Sequence, residues 1–228
     1  MGTNKTAILI FANSSLKDEL RKGIPNSKAL FSALTENILI KVENTGLPYF
    51  IYDEQVQIGS DFGSRFTTAV EAVFNRGFES IITIGNDTPE LTSNTILSTF
   101  RNLCEGKTVI GPSQDGGVYL LGFHQTNFNA ASFRELPWQT RNLLKKITRS
   151  FLQKGAIQQL PRLTDIDTIA DIETLVNLGG LNSKVLVSIL LKMLKTPKLN
   201  IAYSFRYFNS IITGRTYNKG SPSFTTFS

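Results

Sequence analysis

The sequence has few of the residues on which many enzymes rely. Its 228 residues include one cysteine, Cys104, and one histidine, His124. A single cysteine excludes an internal disulfide and a zinc site built from cysteine ligands. A single histidine excludes metal sites with several histidines and argues against a histidine-based catalytic triad. Because Cys104 ends an expected helix and His124 follows an expected strand, we interpret both residues as structural.

Long hydrophobic runs are also absent. No apolar run approaches the roughly 18 residues that a membrane span requires. The apolar segment 6–12 is short and lacks a small-residue cleavage site after it, so we expect a buried first strand rather than a signal peptide. The chain is 41% hydrophobic and 18% charged, which is typical of globular proteins. We therefore expect a cytoplasmic protein whose core needs no disulfide or structural metal.

Acidic side chains are scarce in the last part of the chain. Residues 141–228 contain 13 basic and 4 acidic residues, whereas residues 1–140 contain 11 and 14. This asymmetry suggests a peripheral membrane surface or another anionic partner for the C-terminal third, although a solvated basic face is the simpler interpretation. Aromatic residues in the tail could stack on bases. No recognised nucleic-acid-binding module accompanies them, so we expect no nucleic-acid partner.

Short apolar runs alternate with segments of helical period, which predicts an α/β fold with three layers around a mostly parallel sheet and helices on both faces. The expected strands are 6–12, 48–52, 80–84, 108–110 and 118–123. The expected helices are 27–40, 62–76, 91–103, one within 132–154, and 167–177.

The composition changes after residue 180, which divides the chain into a domain at 1–180 and a C-terminal part at 181–228. The segment 181–195 is rich in Leu, Ile and Val at helical spacing and carries basic residues. We expect this amphipathic helix to pack on the same domain and cover an exposed side of the sheet. A basic helix lying at a membrane interface is the alternative.

Acidic residues follow three expected strands. Ligands bind beyond the carboxyl ends of the strands in open α/β sheets, so these positions are candidates for a binding site. Asp87 follows the strand ending at Ile84 and precedes a Pro-started helix. A carboxylate in this position suits Mg²⁺ or Mn²⁺, which take carboxylate oxygens together with substrate phosphates. Capping of the next helix is the alternative for Asp87.

The second and third acidic positions come later in the chain. Asp115 precedes the pair Gly116-Gly117, which allows close approach of the backbone to a ligand, although a hairpin turn would look similar. Asp165 and Asp167 fall on one side of an expected short strand, where they would repel each other unless a cation or basic group lay between them. Three acidic strand ends favour a metal and phosphate site.

Four motifs in this order resemble a bacterial family of glycosyltransferase-like proteins with the GT-A fold. They are GNDTPEL, DGGVYLLG, the triplet Trp138-Gln139-Thr140 and DIDTIADIE, and the segment 58–66 adds to the resemblance. These nucleotide-diphospho-sugar transferase-like proteins are more distantly similar to the molybdenum-cofactor and phospholactate guanylyltransferases. The resemblance covers roughly residues 5–180.

The resemblance implies a Rossmann-like sheet that holds a nucleotide-activated sugar or nucleotide at its strand ends, with a divalent cation bridging the phosphates. On this basis Asp87 and Asp167 would bind the metal, and Asp115 would orient the sugar or act as general base. The implied nucleotide- or sugar-binding residues are Lys17, Arg21, Gly85, Gly116, Gly117 and Trp138.

One segment departs from the family pattern. The family has a loop with Pro, Gly and a Lys-Thr-Arg-Leu run after the first strand, whereas residues 13–20 here lack glycine and place Glu19 where Arg is expected. Arg21 and Lys22 would have to replace the missing charges, or nucleotide binding would weaken.

We therefore expect a metal-dependent glycosyltransferase that uses a nucleotide-diphospho-sugar donor. Two alternatives remain open. A nucleotidyltransferase would use the same carboxylates to hold Mg²⁺. A degenerate GT-A-like protein would bind ligands or partners without catalysis.

Overall fold

The computed structural model of the protein describes residues 5–179, 181 and 183–195. The strands are β1 (Thr6–Phe11), β2 (Tyr49–Tyr52), β3 (Ser80–Ile84), β4 (Thr108–Pro112), β5 (Val118–His124) and β6 (Ile157–Gln159). The helices are α1 (Ser15–Lys22), α2 (Lys28–Glu43), α3 (Phe62–Phe74), α4 (Ser93–Cys104), α5 (Ala130–Arg134), α6 (Leu143–Leu152), α7 (Ile169–Leu178) and α8 (Lys184–Lys195).

The strands form one mixed sheet in the order β2-β1-β3-β5-β4-β6. β1 pairs in parallel with β2 and β3, and β4 pairs in parallel with β6. β5 is antiparallel to both of its neighbours. The carboxyl ends of β1, β3 and β4 therefore lie beside the amino end of β5, and we call this side of the sheet the upper edge. The prediction of a mostly parallel α/β sheet is confirmed.

Helices cover both faces of the sheet because apolar side chains alternate along the buried strands. In β1, Ala7 and Leu9 pack with α3, α5 and α6 on one face. Ile8 and Ile10 pack with α2 and α4 on the other face. The three predicted layers are therefore present.

The C-terminal helix α8 packs on other helices rather than on the sheet. Its buried residues Leu186 and Leu190 join a cluster with α7 and the first half of α2, to which α2 contributes Leu30 and Phe31. The second half of α2 covers the sheet, so its first half needs a different apolar partner, which α7 and α8 provide. This differs from the expectation that the segment covers the sheet directly. The predicted basic tail after residue 195 lies outside the described residues.

Membrane-spanning helices were also not expected. Within the described part of the chain, every helix is too short or too polar to cross a bilayer.

The segment after β1 forms a helix, α1, where the sequence predicted a loop. The side chain of Ser14 accepts a hydrogen bond from the backbone N–H of Lys17 and caps the helix. Gly23, with a φ of 62°, ends it in the left-handed conformation. Leu16 and Leu20 are exposed. The helix therefore lacks the apolar stripe by which sequence periodicity is usually detected.

The last third of the domain also differs in detail from the prediction. The expected helix within 132–154 is α6, and the short α5 before it is separated from it by Pro137 and the positive φ of Gln139. The expected strand at Asp165 and Asp167 does not form. The nearby segment pairs only at Leu163, which bridges to Ser113, while the short β6 lies earlier in the chain.

Candidate ligand-binding site

A cavity of about 180 Å³ opens at the upper edge of the sheet. Its wall is built from the ends of β1, β3 and β5, the inner face of α1, and the loops around residues 115, 138 and 165. The acidic and basic side chains that line it are Asp18, Arg21, Lys22, Arg65, Asp87, Asp115, Asp165 and Asp167. The structure therefore brings the three acidic regions of the sequence to one place.

Helix α1 supplies one ionic wall of this cavity. Residues three and four apart lie on the same helical face, so Asp18, Arg21 and Lys22 all point in one direction. Asp18 is 2% exposed and accepts a hydrogen bond of 2.8 Å from Asn13 Nδ2. Burial raises the pKa of Asp18, and the charge of Lys22 opposes that shift. The buried face of α1 is thus ionic rather than apolar.

Lys22 lies between the two carboxylates that were predicted to bind a metal. Its Nζ donates a hydrogen bond of 2.8 Å to Asp87 Oδ2 and another of 2.8 Å to the backbone carbonyl of Ile166. It also forms an ion pair of 3.0 Å with Asp167 Oδ1. The side chains of Lys22 and Asp167 are each 7% exposed, and that of Asp87 is 27% exposed. This Lys22–Asp87–Asp167 group is called the ionic triad below.

The charges of the ionic triad stabilise one another against burial. Burial alone would lower the pKa of Lys22, but the charges of Asp87 and Asp167 outweigh it and raise that pKa. Burial raises the pKa of Asp167, and Lys22 opposes this rise. Lys22 is therefore a permanent cation at neutral pH.

Asp165 is the neighbouring carboxyl group, and it has a different environment. Its Oδ1 accepts a hydrogen bond of 2.5 Å from Thr88 Oγ1. Burial, together with the charge of Asp87, raises the pKa of Asp165 to about 8. Asp165 is therefore mostly protonated at neutral pH, which reduces the negative charge of the cavity.

Asp87 and Asp167 are held in place by backbone hydrogen bonds. The N–H of Ile166 donates to the carbonyl of Asp87 at 2.9 Å, which fastens the two loops together. Asp171 Oδ2 accepts from the N–H groups of Asp167 and Thr168. Thr168 and Asp171 form a capping box at the start of α7, so Asp167 is not the cap residue. Thr92 caps α4, which likewise leaves Asp87 without a capping role.

Asp115 lies in the tight turn between β4 and β5. Its Oδ1 accepts a hydrogen bond of 2.9 Å from the N–H of Gly117. Gly116 has a φ of 94°, and a Cβ there would lie 2.7 Å from the carbonyl oxygen of Arg141. The DGG motif is therefore both a hairpin turn and part of the cavity wall, where Asp115 and Gly117 are exposed to it.

The remaining wall is aromatic. Trp138 packs against Phe66 at 5.1 Å and Phe133 at 4.9 Å between ring centroids. Its Nε1 donates a hydrogen bond of 2.8 Å to the carbonyl of Phe133. Phe62 lies 5.6 Å from Trp138 and also lines the cavity. Trp138 is therefore fixed by the core on one side while it borders the cavity on the other.

Most of the site residues predicted from the sequence meet in this cavity. Lys17 does not, since it is exposed on α1 and outside the cavity wall. Gly116 does not line the cavity either, and a side chain there would meet the backbone of Arg141. The predicted residues that line it are Arg21, Gly85, Asp87, Asp115, Gly117, Trp138 and Asp167.

Sequence reasoning missed the charged site residues Asp18 and Arg65, and it considered Lys22 only as a replacement for the missing basic charges, not as the partner of Asp87 and Asp167. Asp18 and Lys22 could have been found from their spacing of four, had α1 been recognised as a helix. Arg65 lies near the start of α3, the helix that Asp61 caps, and it lines the cavity. Burial lowers the pKa of Arg21, and the negative charge of Asp18 opposes this shift. The positive charge of Arg65 lowers the pKa of Arg21 further, because the guanidinium groups of Arg21 and Arg65 lie near each other.

The ionic triad does not fit the divalent cation expected on Asp87 and Asp167. Both carboxylates are bound to the ammonium of Lys22, which lies where the cation would have to lie. Among the residues that the structure describes, no three side chains of the metal-binding types His, Cys, Asp and Glu are grouped to hold a metal ion. In this structure the ammonium of Lys22 therefore occupies the space between the two carboxylates on which the metal was expected.

Comparison with known proteins supports the family resemblance. Residues 51–140 match a family described as an uncharacterized protein conserved in bacteria (DUF2064). The matched segment contains Asp87, Asp115 and Trp138 but not α1 or Asp167. Comparison with curated proteins gives no significant match.

A crystal structure shares the fold over most of the chain. It is a proposed nucleotide-diphospho-sugar transferase from Desulfovibrio desulfuricans G20, with a TM-score of 0.70 and 22% identity over 83% of this chain and 95% of that chain. This likeness confirms the GT-A-like fold.

Two more distant structures are also similar. One is a manganese complex of Rv0371c from Mycobacterium tuberculosis H37Rv, at 14% identity over 75% of this chain and 97% of that chain, with a TM-score of 0.45. The other is 4-diphosphocytidyl-2C-methyl-D-erythritol synthase from Anaerococcus prevotii DSM 20548, at 14% identity over 74% and 93%, with a TM-score of 0.45. At these TM-scores they carry no conclusion about the chemistry of this chain.

Proposed function

We propose that this chain is a nucleotide-diphospho-sugar transferase that binds the diphosphate and sugar of its donor in the upper-edge cavity. The observation that carries the proposal is the meeting of two arginines, an aromatic wall and the turn carboxylate of Asp115 in one cavity. Cavities at the carboxyl ends of parallel strands are the usual ligand sites of this fold class. The fold shared with the Desulfovibrio protein supports the same class of activity.

Arg21 and Arg65 are the groups that would contact the donor diphosphate. Both line the cavity. A guanidinium group presents planar, paired donors that match phosphate oxygens. As the bond to the sugar breaks, negative charge grows on the leaving diphosphate, and two fixed positive groups stabilise that charge.

Phe62 and Trp138 would form the surface on which a base or sugar ring lies. Aromatic faces bind sugar and base rings through apolar contact and stacking. Trp138 is held by its bond to the Phe133 carbonyl and by neighbouring rings, so it offers a rigid surface. With a volume of about 180 Å³, the cavity encloses part of a donor, and the rest would lie along its open side.

Asp115 would be the general base of the transfer. One of its carboxylate oxygens accepts the N–H of Gly117, which leaves Oδ2 available to a ligand hydroxyl. The acceptor oxygen attacks the anomeric carbon, its proton passes to Asp115, and the bond from that carbon to the diphosphate oxygen breaks with its electrons. The products are the glycosylated acceptor and a nucleoside diphosphate. Metal dependence, which the sequence suggested, is not part of this proposal.

The test is a binding panel of nucleoside diphosphates, triphosphates and nucleotide-sugars, followed by thermal shift and titration calorimetry. A ligand that binds only the folded protein raises its melting temperature. We expect a shift with at least one nucleotide-sugar. In the Arg65→Gln variant the affinity should fall by about tenfold or more, because a hydrogen bond to a charged group contributes roughly 1.5–3 kcal/mol.

The matched control is Arg101→Gln, since Arg101 is exposed on α4 and outside the cavity. Its affinity should equal that of the wild type. A shift with triphosphates alone would favour a nucleotidyltransferase. No shift with any nucleotide or nucleotide-sugar would contradict the proposal and favour a protein that has lost donor binding.

A further inference from the structure

Lys22 occupies the place between Asp87 and Asp167 where a divalent cation was expected. Its Nζ lies 2.8 Å from Asp87 Oδ2 and 3.0 Å from Asp167 Oδ1. We propose that Lys22 is the built-in cation of this site: its ammonium binds both carboxylates and offsets one of their two negative charges, and the site binds its ligand without a divalent cation.

The hydrogen-bonding capacity of Lys22 is fully used within the protein. An ammonium has three N–H donors and no acceptor. The two carboxylates and the backbone carbonyl of Ile166 supply three acceptors at 2.8–3.0 Å. Three oxygen atoms from two separate loops therefore surround the ammonium of Lys22, as oxygen ligands surround a bound metal ion.

The rest of the Lys22 side chain is also fixed. The side chain is 7% exposed, and its Nζ lies 5.4 Å from the centroid of the Phe31 ring. Lys22 is the last residue of α1, which Gly23 ends. A metal ion could enter only if the ammonium left its three oxygen partners, and a buried cation without partners is strongly unfavourable.

The backbone at Asp87 and Asp167 is held by hydrogen bonds that do not involve Lys22. The N–H of Ile166 is bound to the carbonyl of Asp87, and Asp171 holds the N–H of Asp167. Removing the ammonium should therefore leave two facing carboxylates around a space of cation size. Hard divalent cations bind carboxylate oxygens of this kind.

The consequence for the donor rests on the proposed function. Lys22 offsets one of the two carboxylate charges that would otherwise repel a diphosphate, and Arg21 and Arg65 line the same cavity. The occupation of the site by the Lys22 ammonium does not require a bound donor. It can therefore be tested with Mn²⁺ alone, and it can fail or hold independently of the transferase proposal.

The experiment measures Mn²⁺ binding to the full chain without nucleotide, by electron paramagnetic resonance of free Mn²⁺ and by calorimetry. We expect no stoichiometric Mn²⁺ binding to the wild type. Lys22→Ala should bind one equivalent, with affinity higher than that of the wild type by at least about tenfold, because a unit charge is removed at contact distance. Bound Mn²⁺ should also raise the melting temperature of this variant.

Two further variants assign the site. The double variant Lys22→Ala/Asp167→Asn should lose the acquired Mn²⁺ binding, because a neutral amide replaces one of the two carboxylates. Lys28→Ala, at an exposed lysine on α2, should behave as the wild type does. If Lys22→Ala is folded and binds no Mn²⁺, the proposal is wrong. If the wild type binds one equivalent and loses it in Asp87→Asn, the proposal is also wrong, whether or not the Lys22 variant folds.

Discussion

Lys22 Nζ and Asp87 Oδ2 are 2.8 Å apart although 65 residues separate them in the chain. The first residue ends α1 and the second follows β3, so the contact joins two parts of the upper edge. It places a positive charge between Asp87 and Asp167, where the sequence predicted a metal ion.

Loss of the Lys22 charge should destabilise the fold. Lys22→Met leaves the buried Asp167 and the partly exposed Asp87 without their cation, and removing one member of a buried ion pair costs about 3–5 kcal/mol. Urea unfolding at pH 8 measures this loss. The control Lys28→Met should stay within about 0.5 kcal/mol of the wild type.

The destabilisation caused by Lys22→Met should become smaller at acidic pH. Without the ammonium, the pKa of Asp167, which burial already raises, rises further. The folded variant then binds a proton that the unfolded chain releases, so its stability decreases as pH rises. A Lys22→Met variant as stable as the wild type at pH 8 would show that the ionic triad contributes nothing.

Asp165 should make the stability of the protein depend on pH. Burial and the charge of Asp87 raise its pKa to about 8. A carboxyl group whose folded-state pKa is raised stabilises the folded state below the unfolded pKa, near 3.9, and this contribution is lost as pH rises towards 8. Asp165→Asn should therefore gain stability relative to the wild type over this range, with a slope of at most about 1.4 kcal/mol per pH unit.

The amide keeps an oxygen that can accept from Thr88, so the local hydrogen bond survives in Asp165→Asn. The comparison is made by chemical denaturation at several pH values. Asp53→Asn, outside the cavity, provides the control and should parallel the wild type. Parallel profiles for Asp165→Asn and the wild type would contradict the raised pKa.

Asp115→Asn should separate binding from transfer. The amide oxygen can still accept the N–H of Gly117, so the turn should be retained. Loss of a general base typically reduces turnover by about 10²–10⁴-fold. We expect the dissociation constant of the nucleotide-sugar to change little while nucleoside diphosphate release in the presence of acceptor falls by that factor.

Asp53→Asn is a closely matched control for Asp115→Asn. Asp53 Oδ1 accepts the N–H of Gln55 in the same two-residue arrangement, but Asp53 is not part of the cavity wall. Its turnover should equal that of the wild type. Full turnover in Asp115→Asn would remove Asp115 from the reaction.

Trp138 should report ligand binding through its fluorescence. It is the only tryptophan of the chain, and it borders the cavity. A base or sugar ring that stacks on it changes the polarity around the indole, so titration with the donor should shift or quench the emission. Arg65→Gln should need a higher donor concentration for the same change. An emission spectrum unchanged at a donor concentration that calorimetry shows to be saturating would exclude contact with Trp138.

Much of the fold could be predicted because its signals are local. The runs in β1, β3 and β5 are apolar, and the helices α2, α3 and α4 bury residues at helical spacing. Helix α1 escaped prediction because its buried face is ionic and its leucines are exposed. The short β6 escaped for a related reason, since two of its three residues are exposed glutamines.

The candidate site could be predicted in part. Asp87, Asp115 and Asp167 line one cavity at the upper edge, as the sequence suggested, although the strand expected at Asp167 does not form. Their partners could not be predicted, because the sequence marks carboxylates without showing which cation lies between them. Either a metal ion or a basic side chain would satisfy the same repulsion.

The sequence by itself determined the alternation of strands and helices, the three layers and the acidic upper edge, because hydrophobic period and strand-end position are local properties of the chain. Only the tertiary structure decided that a lysine lies between two of the carboxylates at that edge. Lys22 reaches Asp87 across 65 residues and the carbonyl of Ile166 across 144. Such contacts depend on how α1 packs against two loops that are distant in the chain. Once Lys22 is buried there, it must be paired with carboxylates, because a buried charge without a partner strongly destabilises the fold.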